Sequence, residues 1–332
     1  MKIAIIGAGL SGITAARTLT DTLGSKAEIT IIEKSRGAGG RMSTRRADDF
    51  EFDHGAQYFT AKDPGFKIAV DVAIGEGHVA PWNGTAKYLK KGSLQIDTGG
   101  ARYVSTPRMN SWIKAMAGSL NLQTSSRVSG LIKTAEGWTL AFENNTAASG
   151  FEAVICAVPS PQAEALLEPI DFKDLGRIKS SQMEACFAVM LGFSQAQSLP
   201  WDTLRSADGP ASWIAVNSAK PGRPETGTTL MVHSGPDWSN MNVDRDKTLL
   251  QSEIIEAATE LTGLDLSRAD YVTIHRWLYA AVSKGAGQPC LADQERKIVA
   301  CGDWCLGGRV EGAWLSGKAA AEYIIDWSKA SA

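Results

Sequence analysis

The chain has 332 residues, 44% hydrophobic and 21% charged, which suits a soluble globular protein with room for two domains and excludes disorder. Its 34 Lys and Arg nearly balance 36 Asp and Glu, so no global field draws it to a nucleic acid polymer or to an anionic membrane, and any anion site must be local. Five cysteines, an odd number, fit a reducing cytoplasmic setting rather than a disulfide framework, and no apolar run reaches the ~18 residues of a spanning helix.

In chain order, Lys2–Ile6 (KIAII) predicts a strand buried on both faces. The glycine-rich GAGLSG run follows at once, then a helix over 13–23 and a second β-branched strand, Glu28–Ile32, that ends in Glu33. In register these form a dinucleotide-binding β-α-β unit. Gly7 permits the tight turn, Gly9 lets a pyrophosphate approach the backbone, and Gly12 lets helix and strand pack closely. Ser11 lies at the helix N-terminus, where free amides and a partial positive charge favour phosphate, and Glu33 is placed to accept from a ribose diol.

NAD and FAD share such a unit. The stretch KSRGAGGRMSTRR (34–46) points to FAD, because an NAD-only enzyme has no use for a second glycine-rich anion site directly behind the acid. Lys34, Gly39, Gly40 and Arg41 supply ammonium, backbone amides and guanidinium to a second phosphate or to an isoalloxazine edge.

Further along, Trp112, Ile113, Met116 and Leu120 repeat as one apolar helical face. Segments 127–133 and 138–143 flank Ala135-Glu136-Gly137 as a hairpin, and 153–158, stopped by Pro159, predicts another buried strand. Strands are expected at 186–193, 211–216, Thr228–His233 and 271–277, interrupted by a helix over 247–261. This pattern predicts an inserted, mainly antiparallel α+β domain. Near the C-terminus a strand at 298–301 leads through Gly302-Asp303 to a helix starting at Gly312 and Ala313. That helix N-terminus suits negative charge on a flavin's pyrimidine carbonyls. The expected division is 1–70, 98–160 and 291–332 for the cofactor, and 71–97 and 161–290 for the substrate. Cys301 and Cys305, with no nearby His or second pair, make a poor zinc site, and no metal is expected.

The Gly39-Gly40-Arg41 doublet with Thr44 resembles the GG motif of flavin-containing amine oxidases, although the arginine usual two residues before the doublet is Gly37 here. The resemblance implies non-covalent FAD in a glutathione-reductase-type α/β Rossmann domain, with Val128 on the strand passing the adenine and Asp303 as the acid at the ribityl chain. Within that superfamily, KSRGAGGRMS (34–43), GAQYFTA (55–61), HRWLYA (275–280) and CGDWCLGGRVEGAWLSG (301–317) together resemble the renalases, especially bacterial ones. That likeness implies oxidation of 2- or 6-dihydro isomers of NAD(P)H, with oxygen reduced to hydrogen peroxide. Amine oxidation, desaturation and a non-catalytic redox sensor with Cys301 and Cys305 near the flavin are the alternatives. Tyr58, Trp213 and Trp277 are candidates to line a planar heterocycle, His275 is a candidate base, and Asn217 a candidate contact for a carboxamide.

Overall fold

The computed structural model describes residues 1–330. The chain divides into two compact units, one made of Met1–Gly40, Ile113–Met183 and the segment from Val282 onward, the other of Arg41–Trp112 and Glu184–Ala281.

In the first unit, Lys2–Ile6 lies parallel to Glu28–Ile32 on one side and to Ala153–Cys156 on the other. Asn121–Gln123 extends the sheet beyond Glu28–Ile32, and Ile298–Ala300 extends it beyond Ala153–Cys156, both in parallel. Leu291–Asp293 closes one edge in the antiparallel sense. Ile3, Ala4, Ile5 and Ile31 have no exposed surface, as a sheet covered on both faces requires. Each fully buried Ile contributes ~1.5–3 kcal/mol over leaving it exposed. The expected hairpin forms from Val128–Thr134 and Gly137–Phe142, and a third antiparallel strand, Ala147–Phe151, joins it. The helix expected over 112–120 ends at Ala117, so Leu120 lies beyond it. Helix Val310–Ala330 begins two residues before Gly312.

The second unit is built on a seven-stranded sheet in the order Tyr271–Lys284, Gln182–Phe193, Thr228–His233, Trp213–Val216, Thr203–Arg205, Ala86–Lys90, Ser93–Ile96, counted among the described residues. Helix Lys247–Thr262 starts at Asp246, whose carboxylate accepts from the amides of Thr248 and Leu249, and stops at left-handed Gly263. It buries Leu250, Ile254 and Ala258 in the same apolar cluster as Phe187, Val189 and Leu191 of the sheet. A hairpin, Thr44–Ala47 with Phe50–Asp53, also belongs to this unit.

The observed division differs from the expected one at two places. Residues 41–70 and 98–112 fall in the second unit, because Asp53 is locked to Lys220 and Arg223, and Glu51 to Arg108. Residues 161–183 and 282–290 fall in the first, because Ala163, Leu166, Leu167, Ile178 and Ala286 complete the core around Val154 and Ile298. Among the described residues, no helix is long and apolar enough to cross a membrane.

Candidate functional site

The first unit holds the glycine cradle. Gly12 packs so tightly that a Cβ there would lie 2.0 Å from the Gly7 carbonyl oxygen, which fixes where helix Leu10–Leu23 leaves the sheet. That helix starts at Gly9 with no side-chain cap and no acidic residue in its first turn, so its opening amides are left for another acceptor. Open space faces Gly9: a Cβ there would meet nothing within 4 Å. The second glycine segment closes onto the first, with the Gly39 amide donating to the Ala8 carbonyl at 3.0 Å and Gly40 at φ +54 against the Gly9 Cα. Glu33 is buried at the strand end, and its two carboxylate oxygens accept from the amides of Ala8 and Ser35, each at 2.8 Å. Each oxygen keeps a lone pair that a ribose hydroxyl can use. Lys34 follows, its ammonium held below the ordinary value first by burial and then by Arg127. The uncapped helix, the open face at Gly9 and the buried acid fit a dinucleotide pyrophosphate and its ribose.

Four other cofactor candidates, Val128, Asp303, Gly312 and Ala313, lie in the same unit. Val128 opens its strand and packs in the core cluster with Phe142. Asp303 is buried in a turn whose carbonyl accepts from the Gly308 amide at 2.8 Å. Gly312 is buried in the first turn of the last helix. Because that helix starts at Val310, the Ala313 amide already donates to Arg309 O at 3.1 Å, and the helix opening lies earlier than expected. Arg41 belongs to the second unit, where its guanidinium donates to the Ala280 carbonyl at 3.2 Å.

The five cysteines are free. Ser11 Oγ donates to Cys301 Sγ at 3.2 Å, but burial pushes the Cys301 thiol up to about 12 and the Cys305 thiol well above its ordinary value. As protonated thiols they lack the nucleophilic form that a redox switch needs.

In the second unit the strand Tyr271–Lys284 meets the hairpin through rings. Phe52 stacks on Tyr271 at 5.5 Å, His54 on Trp277 at 5.1 Å, and His275 lies edge-on to both His54 and Trp277 at 5.0 and 4.4 Å. The Trp277 indole donates to the His54 carbonyl at 2.8 Å, which fixes its plane. Burial first, then His275 and Arg45, lower His54 to about 3; burial first, then Arg45 and Lys247, lower His275 to about 4. Both imidazoles are therefore neutral from pH 6 upward. Tyr58 and Trp213 form a separate pair at 5.7 Å, with the Arg102 guanidinium over Tyr58 at 4.9 Å.

Asn217 does not present a free carboxamide. Its Oδ1 accepts from the Asp53 amide and from Lys220 Nζ, and its Nδ2 donates to the Glu51 carbonyl and the Thr229 hydroxyl. Around it is a buried ion cluster that the sequence reading missed. The Asp53 carboxylate accepts from Lys220 Nζ at 3.2 Å, from Arg223 at 2.6 and 3.1 Å, and from Thr44 at 2.6 Å. Gln57 Oε1 also accepts from Lys220, at 3.0 Å. Burial alone would raise the Asp53 pKa, but Lys220 and Arg223 overcome this and hold it well below the usual carboxylate range. Burial lowers Lys220 to about 8 against the opposing pull of Asp53. The available signal was local: an acid closing the FEFD strand, and a lysine and arginine within the loop that carries Asn217.

Residues 5–69 match the model of an NAD(P)-binding Rossmann-like domain, and residues 85–325 match that of the flavin containing amine oxidoreductases. The chain belongs to the flavin containing amine oxidoreductase family. As a member of that family it is an FAD-dependent oxidoreductase. Solved structures share its fold at low identity. Cyclohexylamine oxidase from Brevibacterium oxydans is 15% identical with a TM-score of 0.75, covering 99% of both chains. A reduced UDP-galactopyranose mutase is 13% identical with a TM-score of 0.76, covering 98% of this chain and 94% of the other. A putrescine oxidase bound to putrescine is 12% identical with a TM-score of 0.71, covering 98% and 99%. A 4,4'-diapophytoene desaturase of Staphylococcus aureus is 46% identical over 55 residues, which is 17% of this chain but only 10% of the desaturase.

Proposed function

We propose that this flavin oxidoreductase oxidises the 2- or 6-dihydro isomers of NAD(P)H to NAD(P)+, with oxygen reduced to hydrogen peroxide, as the renalase-like motifs imply. In this reading the first unit binds FAD, in the manner of glutathione-reductase-type folds, and the second receives the substrate. FAD, when bound, supplies the hydride acceptor and passes the electron pair on to oxygen.

The observation that carries the reading is the uncharged ring surface of His54, His275 and Trp277, with both histidines held neutral. A planar dihydronicotinamide packs favourably against uncharged aromatic faces and edges. It needs no base at its reacting carbon, because loss of hydride restores aromaticity. The indole of Trp277, pinned by the His54 carbonyl, then acts by orientation. For each dinucleotide oxidised, one hydride and one proton combine with oxygen to give one hydrogen peroxide.

Family membership supports amine oxidation or desaturation equally well, and those are the competing readings. The test is anaerobic bleaching of the flavin by a panel of amines and dihydronicotinamide isomers. Rapid bleaching by the 2- or 6-dihydro isomers is expected. Bleaching by amines alone would replace this reading with amine oxidation.

A further inference from the structure

We infer that Arg45, with Lys247, forms a subsite for a phosphate group of the substrate, so that the site selects phosphorylated anions over ammonium compounds. The inference deepens the reading above and rests on it for the identity of the oxidised ring.

The geometry begins with the hairpin. Phe50, Phe52 and His54 alternate onto one face of their strand, and that face meets Tyr271, His275 and Trp277 of the long strand. Arg45 stands directly opposite Phe52 in the register, and opposed residues of an antiparallel pair share a face. Arg45, a half-buried residue, is therefore carried on the face that packs against the His275 strand.

What sets Arg45 apart is its lack of a hydrogen-bonding partner among the described residues. The other half-buried or buried arginines on this side of the unit have one: Arg41 has the Ala280 carbonyl, Arg102 has Asp97, Arg108 has Glu51, Arg223 has Asp53, and Arg276 has the Val243 carbonyl. Arg45 is half-buried and its unpaired guanidinium still reaches solvent, so its fork is open to a phosphate that accepts two parallel N–H bonds. Lys247 supplies a second positive charge. It opens helix Lys247–Thr262, and its field reaches His275 together with that of Arg45. The neighbouring Asp246 carboxylate is engaged as that helix's cap. Two cations beside a neutral ring surface repel an ammonium group and attract a phosphate attached to a ring.

The test uses the FAD-loaded protein and two readouts. In calorimetric titration, ADP-ribose, which carries the phosphates but no nicotinamide, is expected to bind wild type with salt-sensitive affinity. Arg45→Gln should weaken binding about tenfold or more, in line with loss of a charge-assisted hydrogen bond, and Lys247→Gln less. Arg45→Lys should recover part of the loss, which a purely structural role for Arg45 would not produce. In turnover, Arg45→Gln should raise KM for a dihydronicotinamide mononucleotide while leaving that for the uncharged riboside unchanged. Equal ADP-ribose affinity in wild type and Arg45→Gln, or no binding to wild type, overturns the subsite. Binding that depends on Arg45, but with no bleaching by any dihydronicotinamide isomer, upholds the phosphate subsite and removes the proposed reaction.

Discussion

Burial, more than any charged neighbour, sets the protonation of three histidines in the second unit: it is the leading cause for His54, His233 and His275, which it lowers to about 3, 4 and 4. A group that titrates so far below neutrality cannot produce a proton step at physiological pH. Flavin reduction by the dihydro isomers should therefore change little between pH 6 and 9, and His275→Gln should slow it only modestly, through altered ring packing. Stopped-flow mixing under anaerobic conditions measures both. A steep single-proton profile, abolished by the substitution, would identify His275 as a base and favour amine chemistry. We propose Glu33 as the acid that holds the cofactor's far ribose. Glu33→Ala is expected to weaken FAD retention by roughly 1.5–3 kcal/mol, the scale of hydrogen bonds to a charged group, while turnover of the reconstituted enzyme stays near that of wild type. Because the same carboxylate holds the amides of Ala8 and Ser35, the apoprotein should also melt earlier, which calorimetry without FAD would detect.

At the scale of elements, the ion cluster joins the hairpin Thr44–Ala47/Phe50–Asp53 to the loop carrying Asn217, Lys220 and Arg223. Asp53→Ala leaves two buried cations without their carboxylate, so a loss of ~3–5 kcal/mol is expected in chemical denaturation. Lys220→Met should cost less, since Arg223 still neutralises Asp53. Stability rises with pH through both partners, but in different windows and for different reasons. Asp53 is depressed in the folded state, so its contribution is present above an unfolded pKa of about 3.9 and is lost as the pH falls below that. Lys220 is also depressed, to about 8, but for a cation this is a burden carried in full below pH 8 and relieved as the pH rises toward 10.5. Wild type should therefore gain stability relative to Lys220→Met across that upper window, and an unchanged difference would mean that Lys220 is not desolvated. Elements with local signals were legible in the sequence. Lys247–Thr262 is bracketed by the Asp246 cap and Gly263, and the first β-α-β unit by its glycines. The role of Asn217 was hidden because its partners, Glu51, Asp53 and Thr229, are brought to it only by the fold. The start of Val310–Ala330 was missed because Arg309, at φ 75, precedes it in a conformation that glycine usually marks.

For the whole molecule, composition and motif order were enough to expect a Rossmann-type flavoprotein, whereas the division into units was not, since it depends on pairings such as Asp53 with Arg223 and Ile178 with the core around Val154. How the chain retains FAD follows from the chemistry of its side chains. A covalent link through sulfur needs a thiolate, yet burial raises Cys156, Cys186, Cys290 and Cys301 to about 12 and Cys305 well above its ordinary value. The cradle offers backbone amides, a helix N-terminus and Glu33 instead, all reversible interactions. The purified protein should thus be yellow, and acid precipitation should release its FAD into the supernatant with a colourless pellet. Unfolding destroys the cradle, so nothing should keep the flavin with the chain. Dialysis against a chaotropic salt at neutral pH should likewise give an apoprotein that regains its absorbance on addition of FAD. Flavin fluorescence in the acid pellet, persisting after proteolysis on a single peptide, would show a covalent bond and displace this account of how the cofactor is held.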